Sequence, residues 1–150
     1  MPRYVLDTQH FADVLRDRPE AAAVLTFMSE FVSQVDFHVV VGAELLYGAH
    51  ARGEPAAIRQ RFIGRFRPGR TIVPEATDYL TAGDVIRAMA ERWGPRPELG
   101  RRNFWNDVLI AVSCRRRGAV LLSRDPDHLR IAPFVGHAYD AAFPLAGAGG

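Results

Sequence analysis

Four short apolar runs, each separated from the next by helix-length sequence, leave this chain few architectures. They are "RYVLD" (Arg3 to Asp7), "FHVVV" (Phe37 to Val41), "TIVP" (from Thr71) and "AVLLS" (Ala119 to Ser123). A weaker fifth run spans Val135 to Tyr139. Between them lie segments with helical periodicity. Thr8 to Arg16 reads as a helix, and Val24, Phe27, Met28, Phe31, Val32 and Val35 form one apolar stripe. "GAELLYGAHARG" reads as a helix ending near Gly53, and Pro55 opens another. Thr77 is placed to cap a helix carrying Leu80, Val85, Ile86, Met89 and Trp93. "FWNDVLIAVSCRRRG" reads as a helix stopped by Gly118. Strands alternating with helices predict an α/β fold of three α/β/α layers, around a mainly parallel sheet of four to five strands. Residues 1–145 are expected to form one domain and "AGAGG", 146–150, a frayed tail.

Composition narrows the function classes. The 150 residues are 48% hydrophobic, enough for a core and too many for a disordered chain. No apolar run approaches the roughly 20 residues of a membrane span. Asp7 and His10 interrupt any signal-like segment, so a cytoplasmic protein with no membrane association is expected. The single Cys114 excludes a disulfide framework and is expected in the core. All 19 basic residues are arginine. Schiff-base and P-loop chemistry, which need lysine, are thereby excluded, while arginine forks suit phosphate.

The acids show a pattern. Asp7 closes the first strand, Glu44 lies just past the second, and Asp125 and Asp127 follow the fourth. Asp107 opens the helix that leads into that fourth strand. Ligands of parallel sheets bind beyond the strands' carboxyl ends, where these acids converge. Singly, each has an ordinary explanation: Asp7 as a helix cap, Glu44 and Asp107 as first-turn dipole acids, "RDPDH" as a turn. Together, uncompensated carboxylates repel and their pKa values rise. A hard divalent cation, Mg²⁺ or Mn²⁺, would relieve them.

"YVLDT", "VVVGAELLYGA" and "FWNDVLIAVSCRRRGAVLLSRDPDH" resemble the motifs of PIN-domain ribonucleases, and within them the VapC-type toxins of toxin–antitoxin pairs. The resemblance runs from about Arg3 to Val135, in the family's order. It implies a PIN-like fold and metal acids at Asp7, Glu44, Asp107 and Asp125, with Asp127 auxiliary. It places Thr8, Asn106 and Ser123 in support of those acids. Gln9, Gly42 and His128 depart from the pattern; small polar residues are common at the first two and phenylalanine at the third. His128 is expected to be a surface loop residue.

The activity so implied is metal-dependent hydrolysis of RNA, leaving 5′-phosphate and 3′-hydroxyl ends. RNA must then be held by cations around an acidic pocket, and Arg61, Arg65, Arg101, Arg102 and Arg124 are the candidates. Phe104 and Trp105 are expected to pack rather than stack on bases. The resemblance further implies a cognate antitoxin, seated near His10, Phe11, Leu15, Leu45 and Leu46, and a homodimer. A phosphate-receiver domain is excluded by the missing lysine. A haloacid-dehalogenase-type phosphatase also lacks its lysine, and it wants Asp-x-Asp where Asp7 is followed by Thr8 and Gln9. A catalytically inert PIN-fold binding module remains the alternative.

Overall fold

The computed structural model describes residues 1–147. Five parallel strands form one sheet in the order β3-β2-β1-β4-β5. They are β1 (Arg3–Leu6), β2 (Val35–His38), β3 (Thr71–Ile72), β4 (Ala119–Leu122) and β5 (Tyr139–Asp140). The central strand β1 pairs with β2 and β4, and its Val5 and Leu6 are almost wholly buried. Such continuous burial is what a parallel sheet covered on both faces requires.

Helices α1 (Thr8–Leu15), α2 (Ala21–Glu30), α3 (Val39–Tyr47) and α4 (Glu54–Arg61) share one core with the sheet, centred on Phe11, Phe27, Phe37 and Leu121. Helices α5 (Ala76–Trp93), α6 (Arg102–Arg117) and α7 (Asp127–Val135) share a second core around Met89, Val108 and Ile131. Ile110 and Cys114 on α6 reach the first core, so α6 joins the two. These layers are the three-layer α/β/α architecture expected from the sequence, and Gly118 ends α6 in the left-handed conformation as anticipated.

Several element boundaries differ. Only Phe37 and His38 of "FHVVV" are strand: β2 starts at Val35 and ends at His38, whose Nδ1 accepts the Val40 N–H at 3.1 Å and starts α3 there. Valines at 39–41 read as β-formers, but this cap overrides the weak propensity. Gly42 packs closely on Phe37: an added Cβ would stand 3.0 Å from its ring, so a serine or threonine there would require the ring to give. The stripe through α2 ends early, because Val32 lies exposed in a turn and Val35 belongs to β2. The "RDPDH" turn passes directly into α7, which the interior Pro133 had concealed. Residues 148–150 of the expected tail lie outside the described residues; 146–147 form a turn.

Thr77 does not cap α5. Glu75 does, in a capping box with Asp78, whose Oδ2 accepts the Glu75 N–H at 2.8 Å. Asp78 is also bound by Arg116 Nε at 2.9 Å and is buried. Asp78→Ala should therefore cost about 1–3 kcal/mol in urea denaturation, whereas Thr77→Ala should stay within about 0.5 kcal/mol of wild type. Equal effects of the two substitutions would contradict this cap.

Candidate functional site

The sheet order turns at β1: the chain moves to β2 and β3 on one side, then returns to β4 on the other. Crevices at such a switch point are the ligand sites of parallel α/β sheets. Here the register pairs Leu6 with Leu122, so Asp7 and Ser123 emerge side by side. The Asp7 N–H continues the ladder to Leu122 O at 3.0 Å.

Asp7 is buried and fully engaged. Its Oδ1 accepts the Thr8 N–H at 2.8 Å, capping α1, and its Oδ2 accepts the Ser123 hydroxyl at 2.5 Å. Burial alone would raise this carboxyl; the His128 ring, Ser123 and Thr8 N–H outweigh it and hold it below the usual range. Ser123 Oγ also accepts the Asp125 N–H at 3.1 Å, and Asp125 Oδ1 accepts the Asp127 N–H at 2.9 Å. "RDPDH" is thus a turn built from its own side chains, and that turn fixes Asp125 beside Asp7.

Asp107 contrasts with Asp7. It is the sixth residue of α6, not a first-turn acid, and no acid occupies that first turn. The helix-dipole explanation fails, because the dipole acts only within the terminal turn. Burial first, then Asp7, Asp125, Glu44 and Asp127, push its carboxyl up to about 9. Glu44 likewise stands beyond the first turn of α3, which begins at Val39. Its Oε1 accepts the Thr8 hydroxyl at 2.8 Å. Burial and Asp7 raise the Glu44 carboxyl; Thr8 and Asn106 act against them.

The structure brings Asp7, Glu44, Asp107 and Asp125 to one cleft of about 600 Å³. Asp107, Asp125 and Asp127 offer oxygens within 4.8 Å of one another, as do Asp7, Asp107 and a nitrogen of His128. Glu44 lines the cleft but joins neither group. His128 is not on the surface: it is fully buried, 3.8 Å from Asp7 Oδ2, because the first turn of α7 carries it inward against His137 and Tyr139. Its neighbour His137 is lowered to about 4, by burial and then by His128, and is therefore neutral near pH 7.

The arginines divide. Arg124 lines the cleft and binds Asp13 Oδ2 at 2.5 Å. Arg101 lines an adjoining depression that shares Asp107 and Asp125. The Arg102 guanidinium lies 4.3 Å over the Tyr47 ring. Arg61 and Arg65 are elsewhere, beside an apolar groove of Phe11, Val14, Val24, Leu25, Met28 and Phe62. Phe104 is buried as expected, and Trp105 is half-buried.

Sequence reasoning missed Asp13, Arg18 and Arg130. Asp13 is 1% exposed, receives Gln9 Nε2 at 2.7 Å and Arg18 Nη1 at 3.1 Å, and so holds two arginines at the cleft wall. Its signal was present: a carboxylate inside the apolar run "FADVL", the same anomaly that singles out Asp107. Arg130 sits in the adjoining depression, bound to Glu98 at 3.2 Å.

The fold and cleft define a parallel α/β domain with a carboxylate cluster at its switch point. Comparison with known proteins gives the family: the PIN domain model matches residues 4–133, and the chain belongs to that family. No curated protein matches it. Among solved structures, VapBC2 of Rickettsia felis bound to promoter DNA is similar, at 18% identity and TM-score 0.66 over 91% of this chain and 96% of that one. DNA-bound VapBC of Salmonella typhimurium is similar at 21% and 0.65, over 93% and 98%. FitAcB of Neisseria gonorrhoeae is similar at 19% and 0.68, over 95% and 99%.

Folding disfavours ionised Asp107, so the folded chain binds more protons than the unfolded one between the ordinary 3.8 and about 9. Its contribution to stability therefore declines as pH rises through that window. In EDTA at pH 8, Asp107→Asn should melt higher than wild type, by on the order of 2 kcal/mol of stability. The gain should vanish toward pH 4. A melting difference that does not vary with pH would refute the assignment.

Proposed function

We propose that this protein is a metal-dependent endoribonuclease acting as the toxin of a toxin–antitoxin pair. The observation that carries the reading is the convergence of Asp7, Glu44, Asp107 and Asp125 on one cleft in a PIN domain. The donor set fits a divalent cation. It is rich in oxygen and short of compensating charge, and Asp107 is driven toward its neutral form unless positive charge stands near. Asp7, Asp107 and Asp125 would hold the ion with Asp127, and Glu44 would close the cleft on the α3 side. Mg²⁺ or Mn²⁺ bound there supplies an activated water and neutralises charge at the scissile phosphate.

The chain's own groups do the positioning. Ser123 and the Thr8 N–H keep Asp7 ionised and fixed, the Thr8 hydroxyl holds Glu44, and Asn106 supports Glu44 beside it. Asp13 aims Arg18 and Arg124 at the cleft, where they would bind RNA phosphate flanking the cleaved bond. Arg101 and Arg130 would take the strand on the other side, with Arg102 at the rim. Such contacts supply affinity without base choice. Arg61 and Arg65 suit a different partner. They flank the apolar groove of α1, α2 and α4, which fits an amphipathic antitoxin tail. The VapBC and FitAcB likenesses support this partner. Of the residues where that tail was expected, Phe11 lines the groove, whereas His10 and Leu45 are buried and Leu15 and Leu46 half-buried outside its lining. A cytoplasmic homodimer completes the reading; no described helix is long and apolar enough to cross a membrane.

Purified protein should cleave structured RNA with Mg²⁺ or Mn²⁺ and stop on addition of EDTA. Asp7→Asn and Asp107→Asn should each lose activity at least about 100-fold. Arg124→Ala should mainly raise KM. Induced wild-type protein should arrest bacterial growth, and Asp7→Asn should not. Cleavage that survives EDTA would end the metal reading; binding of RNA without any cleavage would favour an inert binding module.

A further inference from the structure

The buried His128 has no part in the reaction set out above, yet its ring edge faces the carboxylates. One edge is accounted for: Nδ1 lies 3.2 Å from His137 Nε2. The ring also neighbours Tyr139, tilted against it at a centroid separation of 6.0 Å. The other edge is not accounted for. Nε2 is buried, has no hydrogen-bond partner, and stands 3.8 Å from Asp7 Oδ2. That is too long for a hydrogen bond, and an unsatisfied buried nitrogen carries a cost. Simple packing would leave this edge against apolar atoms rather than against two acids.

The separation suits a shared ion. Donors held about 2.1 Å from one centre lie roughly 3.0–4.2 Å apart, depending on the angle between them. Asp7 and His128 fall within that span, and with Asp107 they offer three donor atoms within 4.8 Å of one another.

We propose that His128 Nε2 is a direct nitrogen ligand of the metal site, and that it biases the site toward divalent first-row transition ions over Mg²⁺. This rests on the metal-site reading given above. Imidazole binds such ions well, with affinity rising from Mn²⁺ toward Cu²⁺, whereas Mg²⁺ keeps to oxygen. With the ion bound, His137 is a positioning residue: its Nε2 would accept the Nδ1–H of His128, which leaves the Nε2 lone pair for the metal in place of the proton that otherwise faces Asp7.

The test uses the full chain, stripped with EDTA and reloaded with Mn²⁺ in a nitrogen-free buffer. Pulsed EPR should show nitrogen-14 coupling from one coordinated imidazole in wild type and none in His128→Phe. Calorimetric titration should show Mn²⁺ and Co²⁺ binding His128→Phe at least about 10-fold more weakly, with Mg²⁺ affinity unchanged. Phenylalanine preserves the ring volume, and circular dichroism checks the variant's fold; if it fails to fold, the wild-type EPR signal decides alone. Bound Mn²⁺ without nitrogen coupling, or with coupling that persists in His128→Phe, overturns the role of His128 and leaves the carboxylate site standing. Absence of Mn²⁺ binding to wild type, or equal binding by Asp7→Asn, overturns both.

Discussion

The pairing of β1 with β4 is the constraint on which the site depends. Their register sets Leu6 against Leu122, and the ladder runs one step further, from the Asp7 N–H to Leu122 O. The Ser123 hydroxyl then reaches Asp7 Oδ2 across the same gap. A slip of β4 by one residue would turn Ser123 to the opposite face of the sheet, away from Asp7. Val5, Leu6, Leu121 and Leu122 are all buried in a close-packed core, which resists exchanging side chains between faces and so fixes the geometry of the carboxylates.

Two of those carboxylates have opposite characters because their surroundings differ. Asp7 faces the His128 ring, receives hydrogen bonds from a hydroxyl and a backbone amide, and lies below its ordinary range. Asp107 is buried among four other acids and rises to about 9. One is charged in place; the other takes up a proton unless positive charge arrives. Sites that push titratable groups apart in this way are typically functional ones. The nearby Arg18 and Arg124 do not supply that charge to Asp107, since Asp13 engages both.

Much of this was legible in the sequence, and the reasons for the remainder are physical. Strand and helix order could be read because the apolar runs are strong and their spacing admits a parallel sheet. The acids could be read because each follows or faces a strand end. Boundaries failed where a local hydrogen bond overruled propensity: His38 starts a helix amid valines, and Glu75 with Asp78 caps α5 in place of Thr77. The burial of His128 was illegible because Pro133 disguised α7 as loop, and a residue's depth follows from its helix. Asp13 was legible in principle, as a charge within an apolar run, but its partners Arg18 and Arg124 are 5 and 111 residues away, and the latter separation exists only in the fold.

Ser123, Arg124 and Asp125 are consecutive, yet each of their side chains has a different partner. Ser123 bonds Asp7, Arg124 bonds Asp13, and Asp125 receives the Asp127 amide. The segment leaves a strand whose register is locked and enters a helix whose first turn is held by that same amide. Its length is therefore as tightly determined as its composition. Losing or gaining one residue here would misdirect all three side chains together. This short loop can change by substitution, one side chain at a time, but it has no room for insertion or deletion.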